Sequence, residues 1–516
     1  MDTGRVAASA ALPATLMQRM LDAVERVGNR VPHPVMIFVY LLLGVVVLSH
    51  LFHVFGLGVT YQVIDLETDE LVTQTALARS LLTLDGVRFM FTGVVANFMS
   101  FNAVGVIIVA MLGVGIAEES GLVKALIKKL VAAAPRGALT YILVFVGIIS
   151  SIAADAGYLV LIPLAAAAYI SVGRHPLAGL ALGFSSVAAA FLVNIKIVPT
   201  DAILTEIAND AIHLLDPGRS IDLTANLWFS IGSVAMLVLV IGLINDRVVE
   251  PRLGHYEGER PDAAEGTLSE AESRGLRYAL YGMLAVLAFI LLLTLPPGAP
   301  LRNPETGAII GASPFMNSLI VSIALIFGVA GAAFGIGAGT LKGANGIIGA
   351  MQKAVGSLAG LILLLFVISQ FLAFFNYSNM ATLAAVGLAG ILQDANLPAI
   401  WLLVGFIIVT FVIDLIITGA VAKWALFAPI FIPLLMKLSV DPEVVLAAYR
   451  VGDSPVNAIT PLNAYFALIV TFAQRYQKNA GVGTVIALML PHVATLCVVW
   501  TLLFVAWYLA GLPWGL

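Results

Sequence analysis

Four short stretches of this sequence set charged, amide and hydroxyl side chains inside long apolar runs. They are Ser150, Ser151 and Asp155; Asn194, Lys196, Thr200 and Asp201; Asp414, Thr418, Lys423 and Trp424; and Arg450, Asp453, Ser454, Asn457 and Thr460. The chain is 60% hydrophobic and only 11% charged. A charge near the centre of a bilayer costs roughly 2.5–3.5 kcal/mol on insertion scales, so each one needs a partner or a task. Breaking a helix frees backbone carbonyls and N–H groups and leaves helix ends pointing inward. Carbonyls with Asp, Asn and Ser/Thr oxygens suit Na+ or a proton, and helix N-termini with Lys or Arg suit a carboxylate. In "VIDLIITGAVAKWALF" at 412–427, an unbroken helix would set Asp414 and Lys423 on opposite faces, about 13 Å apart along the axis. They can share a site only if the backbone breaks, and "TGA" at 418–420 is the expected place.

Structural roles compete with these chemical ones. Asp201 could sit at the outer water boundary, and Arg450 could pair locally with Asp453, three residues on along a helix. Trp424 could be an interfacial aromatic. Glu118 and Glu119 read as a polar helix end, and His175 before Pro176 as a turn residue. The glycines of "GVGIAEESGL" and "FGVAGAAFGIGAG" read as helix-packing positions, because small residues let membrane helices approach closely.

The elements that hold these residues follow from hydropathy. A mean hydropathy of +1.02 over 516 residues excludes an ordinary soluble globular chain. Runs such as 35–57, 225–245, 277–295 and 484–511 are long enough to cross a bilayer as helices, and too uniformly apolar for barrel strands. The prediction is an all-α polytopic membrane protein. Nine crossings are expected near 35–57, 103–125, 177–205, 225–247, 277–297, 317–335, 356–377, 444–472 and 484–511. Residues 138–172 and 398–437 are too long for one span and polar at their centres. Each is expected to form a re-entrant helical hairpin, since irregular backbone at membrane depth must be buried in protein or face a cavity.

Charge placement supports this count. With a cytoplasmic N-terminus, most Lys and Arg fall on inside loops, while Arg79, Arg88, Arg219 and Arg302 fall outside with Glu206, Asp210, Asp216 and Asp222. That pattern obeys the positive-inside rule only if both long segments re-enter on their own side. A charged linker, 247–276, separates an N-terminal half, 1–246, from a C-terminal half, 277–516. Each half runs hairpin, Ile-Pro-Leu, an Xaa-Pro helix start, then a crossing interrupted by Asn and Pro. Opposite hairpin entry makes the halves inverted repeats, a pattern that points to a transporter's binding site.

The net charge of −4 identifies no partner, and nucleic acid is not expected. One cysteine, Cys497, excludes an intramolecular disulfide framework. No cleavable signal peptide is expected in residues 1–34. There is no HExxH pair, GxSxG elbow or Walker A loop, so the reading is not an enzyme, with no cofactor and with an ion gradient as driving force.

"LGVGIAEESGL", "GYLVLIPL", "GRHPLAGLA", "APIFIPLL", "AAYRVGDS" and "NAITP" resemble segments of the AbgT family of p-aminobenzoyl-glutamate transporters, and the likeness covers nearly the whole chain. The resemblance implies a bowl-shaped homodimer in a bacterial inner membrane, with nine crossings, two hairpins and a separate pathway in each subunit. It implies transport of p-aminobenzoyl-glutamate or efflux of antimetabolites such as sulfonamides, driven by H+ or Na+. By motif position, the family's pathway residues fall on Asp201, Trp424, Pro442 and Arg450, and an acidic cation ligand falls on Asp453. Asn194 and Asn457 at the two breaks join the substrate-binding set, and Asp414 joins Asp453 as a Na+ ligand pair.

The chain departs from the family at each polar centre. "SSIAADAG" stands where the family reads like "SNTASELG", "NIKIVPTD" where it reads "NLFLGTID", and "DLIITGAVAKW" where it reads "NLMIGSASAQW". Small hydroxyl groups are lost, while Lys196, Asp414 and Lys423 are gained. Lys196 and Lys423 are therefore expected in or near the space of a coupling cation, with Asp155/Asp201 and Asp414/Asp453 as counter-charges. A buried Lys shifts its pKa readily, so such a pair suits proton coupling; the alternative is that both lysines snorkel to water. The expected function is cation-coupled transport of an aromatic carboxylate, with Arg450 on the anionic end and Trp424 on the ring. The alternatives are a dicarboxylate or citrate carrier and a channel-like or non-transporting membrane protein.

Overall fold

The structure is a computed structural model. It describes residues 34–64, 71–132, 134–152, 157–256, 268–309, 313–384, 398–415 and 419–516, with isolated positions at 32, 258, 386, 387 and 417. Asp155 and Thr418, singled out above, lie outside the described residues, as do 1–31 and most of 257–267.

The chain is a helical bundle with one small sheet. The first long helix, α1 (Pro34–Val54), leads into an antiparallel hairpin of β1 (Gly58–Ile64) and β2 (Leu71–Leu77), with Gly58 opposite Leu77 and Ile64 opposite Leu71. The short helices α2 (Leu84–Thr92) and α3 (Val94–Met99) follow, then α4 (Asn102–Glu119) and α5 (Leu122–Ala132). These last two are bent by 60° at the break between them. The β-hairpin was not anticipated from the sequence.

The first expected hairpin is α6 (Leu139–Ile149) and α7 (Ile162–Ser171), the latter preceded by a π-turn at Gly157–Leu161. Next come α8 (Pro176–Ala188), an irregular stretch, and α9 (Pro199–Ile212). His175 caps α8, its Nδ1 accepting from the Leu177 N–H at 3.2 Å. Burial holds the ring's pKa below its ordinary value, which keeps that nitrogen an acceptor. Helix α10 (Leu227–Ile244) continues through a π-turn as far as Leu253.

The C-terminal half begins with α11 (Glu270–Thr294), so helix occupies both ends of the linker expected at 247–276. It continues with α12 (Leu319–Ala338), α13 (Gly343–Ser357) and α14 (Ala359–Tyr377). The second hairpin is α15 (Ala399–Asp414) and α16 (Ala420–Lys437). Then follow α17 (Pro442–Asp453), a break, α18 (Phe466–Gln474) and the long α19 (Val482–Leu509).

Helix stands at each of the nine expected crossings. Among the described residues, seven helices are long and apolar enough to span a membrane, or eight if the bent pair α4–α5 counts as one span. The difference has a plain cause. The crossings expected at 103–125, 177–205 and 444–472 are bent or broken, as α4/α5, α8/α9 and α17/α18, which leaves six of the nine. The seventh long apolar helix is the hairpin limb α16, at 18 residues. The limbs α6, at 11 residues, and α15, at 16 residues, reach about 16 and 24 Å, short of a hydrocarbon core of about 30 Å. The same order of elements, two limbs then a broken helix, recurs in both halves.

The glycines act in packing, as expected. A Cβ on Gly113 would lie 1.9 Å from the Ala324 carbonyl oxygen, so α4 and α12 touch backbone to backbone. Gly113→Ala is expected to cost about 1–3 kcal/mol of stability through overpacking, read as a lower melting temperature of the purified protein. Gly105→Ala on the same helix meets open space and serves as the unaffected control. Glu119 pairs with Lys353 at 2.6 Å, in keeping with the helix-end reading. The base of the first hairpin is tied to α10 by Arg174, which pairs with Glu250 and, at 2.5 Å, with Asp246.

Candidate functional site

Helix α15 stops at Asp414, and α16 starts at Ala420, so Lys423 lies one turn inside the second limb. The turn between them brings together two side chains that a continuous helix would hold apart. The Lys423 ammonium is paired with Asp414 and, at 2.7 Å, with Asp453 Oδ1 of α17. All three side chains are fully buried. Gly452 permits this closeness: a Cβ there would lie 2.6 Å from Thr410 Cβ, so α17 runs against α15 just where Asp453 must reach the lysine.

The pair of carboxylates is further supported. The Tyr449 hydroxyl donates to Asp453 Oδ1 at 2.7 Å and lies 2.5 Å from the Ala420 carbonyl oxygen. Asn457 donates to the Asp453 backbone carbonyl at 2.8 Å. Thr460 donates to the Leu415 carbonyl at 3.1 Å, fixing the hairpin turn to the break after α17. Asp414 Oδ2 is buried without a hydrogen-bond partner among the described residues.

Arg450, one residue on from Tyr449, faces the other way, toward the N-terminal half. Its Nη1 donates to Asp201 Oδ1 at 2.5 Å and to the Leu192 carbonyl at 2.8 Å, and its Nε donates to Asn226 Oδ1 at 3.0 Å. Asp201 Oδ2 accepts from the Val198 N–H at 2.8 Å, capping α9. Ser454 accepts from the Leu192 N–H at 3.2 Å. The two helix breaks thus face each other, and Arg450 is the cation between them. They border a nearly closed cleft of about 10 Å³ whose polar walls are Asn194, Lys196, Asp201, Asn226, Ser230 and Arg450.

The expected residues divide accordingly. Asn194, Lys196, Asp201 and Arg450 share the cleft, while Asp414, Lys423, Asp453 and Asn457 form the buried cluster beside it. Two structural alternatives fall away: the local Arg450–Asp453 pair and Trp424 as an interfacial aromatic. Arg450 does not pair with Asp453, because Tyr449 and Asp453 (i, i+4) share one face of α17 and Arg450 points off it. Trp424 is fully buried, packs against Tyr449 with ring centroids 4.7 Å apart and the planes tilted by 30°, and donates to the Leu204 carbonyl at 2.8 Å. It is neither an interfacial aromatic nor a wall of the cleft. Pro442 opens α17, about 12 Å along the helix from Arg450, and lies outside the cleft.

The two lysines part company. Lys423 has both expected counter-charges, whereas Lys196 is exposed, lies 5.4 Å from the Phe327 ring centroid and makes no ion pair among the described residues. Asp201 is taken by Arg450, and Asp155 lies outside the described residues. The described residues contain no group of three or more His, Cys, Asp or Glu placed to hold a metal ion. Between the two carboxylates considered for Na+, Asp414 and Asp453, the position is held by the Lys423 ammonium. Sequence reasoning missed Tyr449 and Asn226. The signal for Tyr449 was its i, i+4 spacing from Asp453 in "AAYRVGD"; Asn226 had only its place at the head of an apolar run.

Comparison with known proteins fits this architecture. Residues 19–516 match the family described as "AbgT putative transporter family". The chain belongs to the AbgT family. It is 34% identical over 492 residues to the p-aminobenzoyl-glutamate transport protein of Escherichia coli (strain K12), covering 95% of each chain. The solved YdaH transporter of Alcanivorax borkumensis, noted for an unusual topology, superposes with a TM-score of 0.87 at 40% identity, covering 94% of this chain and 100% of that one. MtrF of Neisseria gonorrhoeae, from a class of antimetabolite efflux pumps, superposes with a TM-score of 0.89 at 36% identity, covering 95% and 97%. The AbgT chain is therefore a multi-pass membrane transporter and not an enzyme.

Proposed function

We propose that this AbgT transporter moves p-aminobenzoyl-glutamate or a related aromatic carboxylate across the bacterial inner membrane, coupled to protons and without Na+. The substrate class rests on the Escherichia coli relative. Efflux of antimetabolites, sulfonamides among them, is the second reading, and the likeness to MtrF favours it. Arg450 takes the substrate's carboxylate in exchange for Asp201, since a guanidinium fork matches either partner.

The observation that carries the coupling is the Lys423 ammonium between Asp414 and Asp453. The ammonium fills the space between the two carboxylates that Na+ would need and offsets one of their two negative charges. Lysine also exchanges its proton more readily than arginine would. Protonation at this cluster then changes how firmly the second hairpin holds α17, the helix that presents Arg450. The charge asymmetry of the loops supports a cytoplasmic N-terminus, and the family resemblance supports a homodimer.

The test is uptake in liposomes. Radiolabelled p-aminobenzoyl-glutamate should be transported under an imposed pH gradient with all Na+ replaced by choline, at a rate unchanged by adding Na+. Transport that appears only with Na+ would sink the coupling proposal.

A further inference from the structure

A second cavity lies on the face that carries the β-hairpin. Its volume is about 470 Å³, against about 10 Å³ for the Arg450 cleft. Small-molecule sites run to roughly 300–1,000 Å³. Its walls come from four places in the chain: Arg79 after β2, Phe89 and Asn97 on α2 and α3, Asp210 on α9, and Tyr377 at the end of α14.

Three features of this cavity are unusual together. First, it holds two opposite charges that do not meet. The Arg79 guanidinium has no hydrogen-bond or ion-pair partner among the described residues. Asp210 Oδ2 is buried and also unpartnered there. A buried carboxylate oxygen left unbonded is costly, and such groups are normally satisfied. Second, Phe89 and Tyr377 stack 4.3 Å apart at 14°, giving the wall a rigid aromatic face. Third, Asn379 at its rim has a φ of +58°, and its side chain is held to the Leu77 carbonyl at 2.9 Å. Strained backbone of this kind gathers at ligand sites.

The connection to the central cleft is a single helix. Asp201 begins α9 at the cleft and Asp210 ends it at this cavity, about 13 Å further along the axis. A ligand seated here is one short helix away from Arg450.

We propose that this cavity is a second binding site, a vestibule that takes an aromatic carboxylate carrying an N–H donor. Arg79 receives the carboxylate, the Phe89–Tyr377 stack receives the ring, and Asp210 accepts from the amine. The choice of probe rests on the substrate reading above.

The experiment is photolabelling of the purified full-length protein with p-azidobenzoyl-glutamate, mapped by peptide mass spectrometry. Label is expected on segments 84–99 or 370–379, competed by p-aminobenzoyl-glutamate. It should fall at least tenfold in Arg79→Gln and persist in Arg450→Ala. As competitor, p-aminobenzoyl-glutamate should outperform benzoyl-glutamate about tenfold, and Asp210→Asn should abolish that preference. Label confined to the central cleft, label unaltered by Arg79→Gln, or no label at all overturns the vestibule. Transport assayed on the same preparations separates the two readings. Uptake without vestibule label removes this site and leaves the substrate assignment, whereas vestibule label without uptake does the reverse.

Discussion

Lys423→Met should destabilise the protein by about 3–5 kcal/mol, the usual cost of stripping one partner from a buried ion pair. The substitution leaves Asp414 and Asp453 facing each other with no exposure to solvent, and only the Tyr449 hydroxyl and Asn457 remain to serve them. Lost packing is a minor term, since methionine keeps most of the lysine stem. The charge is the cause, so neutralising the carboxylates should cure it. Lys423→Met/Asp414→Asn/Asp453→Asn should recover most of the loss, a coupling that independent sites would not show. Sodium offers a second readout. If the lysine stands where a cation would sit, removing it opens a site flanked by two carboxylates. A site with a Kd of about 1 mM would regain about 2.7 kcal/mol at 100 mM Na+. Thermal melts of the purified protein should therefore rise with NaCl over choline chloride in Lys423→Met and stay level in the parent. Equal stabilisation of both by Na+ would show that Lys423 does not take the cation's place.

How far this cluster could be read in advance depends on chain distance. Asp414 and Lys423 are nine residues apart, and helical geometry alone forced the choice between a break and no shared site. Asp453 and Tyr449 share a helix face by spacing, so that half of the cluster was accessible too, though only the aspartate was picked out. Contacts across the halves were not. Asp201 and Arg450 lie 249 residues apart, and nothing local sets their pairing; the local alternative, Arg450 with Asp453, looked as reasonable and was wrong. Trp424 shows the same limit. Its position beside the turn is evident, but a tryptophan packed against Tyr449 and one lining a cavity have the same neighbours in sequence. The β-hairpin failed for a different reason. "GVTYQVI" carries a strand-like alternation of apolar and polar residues, but "LVTQTAL" does not, and a search for long apolar runs passes over both. The crossings were legible because a bilayer imposes length and apolarity, whereas the broken ones blur into ordinary short helices once the membrane is left aside.

Arg450→Lys should raise the KM for p-aminobenzoyl-glutamate at least tenfold while the charge is kept. The guanidinium reaches three acceptors on separate parts of the chain, the Asp201 carboxylate, the Leu192 carbonyl and the Asn226 amide oxygen. An ammonium is a point charge without the fork, and losing one hydrogen bond to a charged group costs about 1.5–3 kcal/mol, a factor of ten or more in affinity. A purely structural arginine would give part of this result, because the same contacts join the two helix breaks. Asp201→Asn separates the roles. In the structure Asp201 holds the place on Arg450 that a substrate carboxylate would take, so it competes with substrate. Weakening that competitor should lower KM and slow turnover, since the arginine then releases its ligand less readily and α9 keeps an amide oxygen for its cap. Reduced thermostability with KM unchanged in both variants would make Arg450 a tie between the halves and nothing more. A KM that rises in Arg450→Lys and falls in Asp201→Asn is the pattern of an exchange, in which the ion pair that closes the empty cleft is the one the substrate must open.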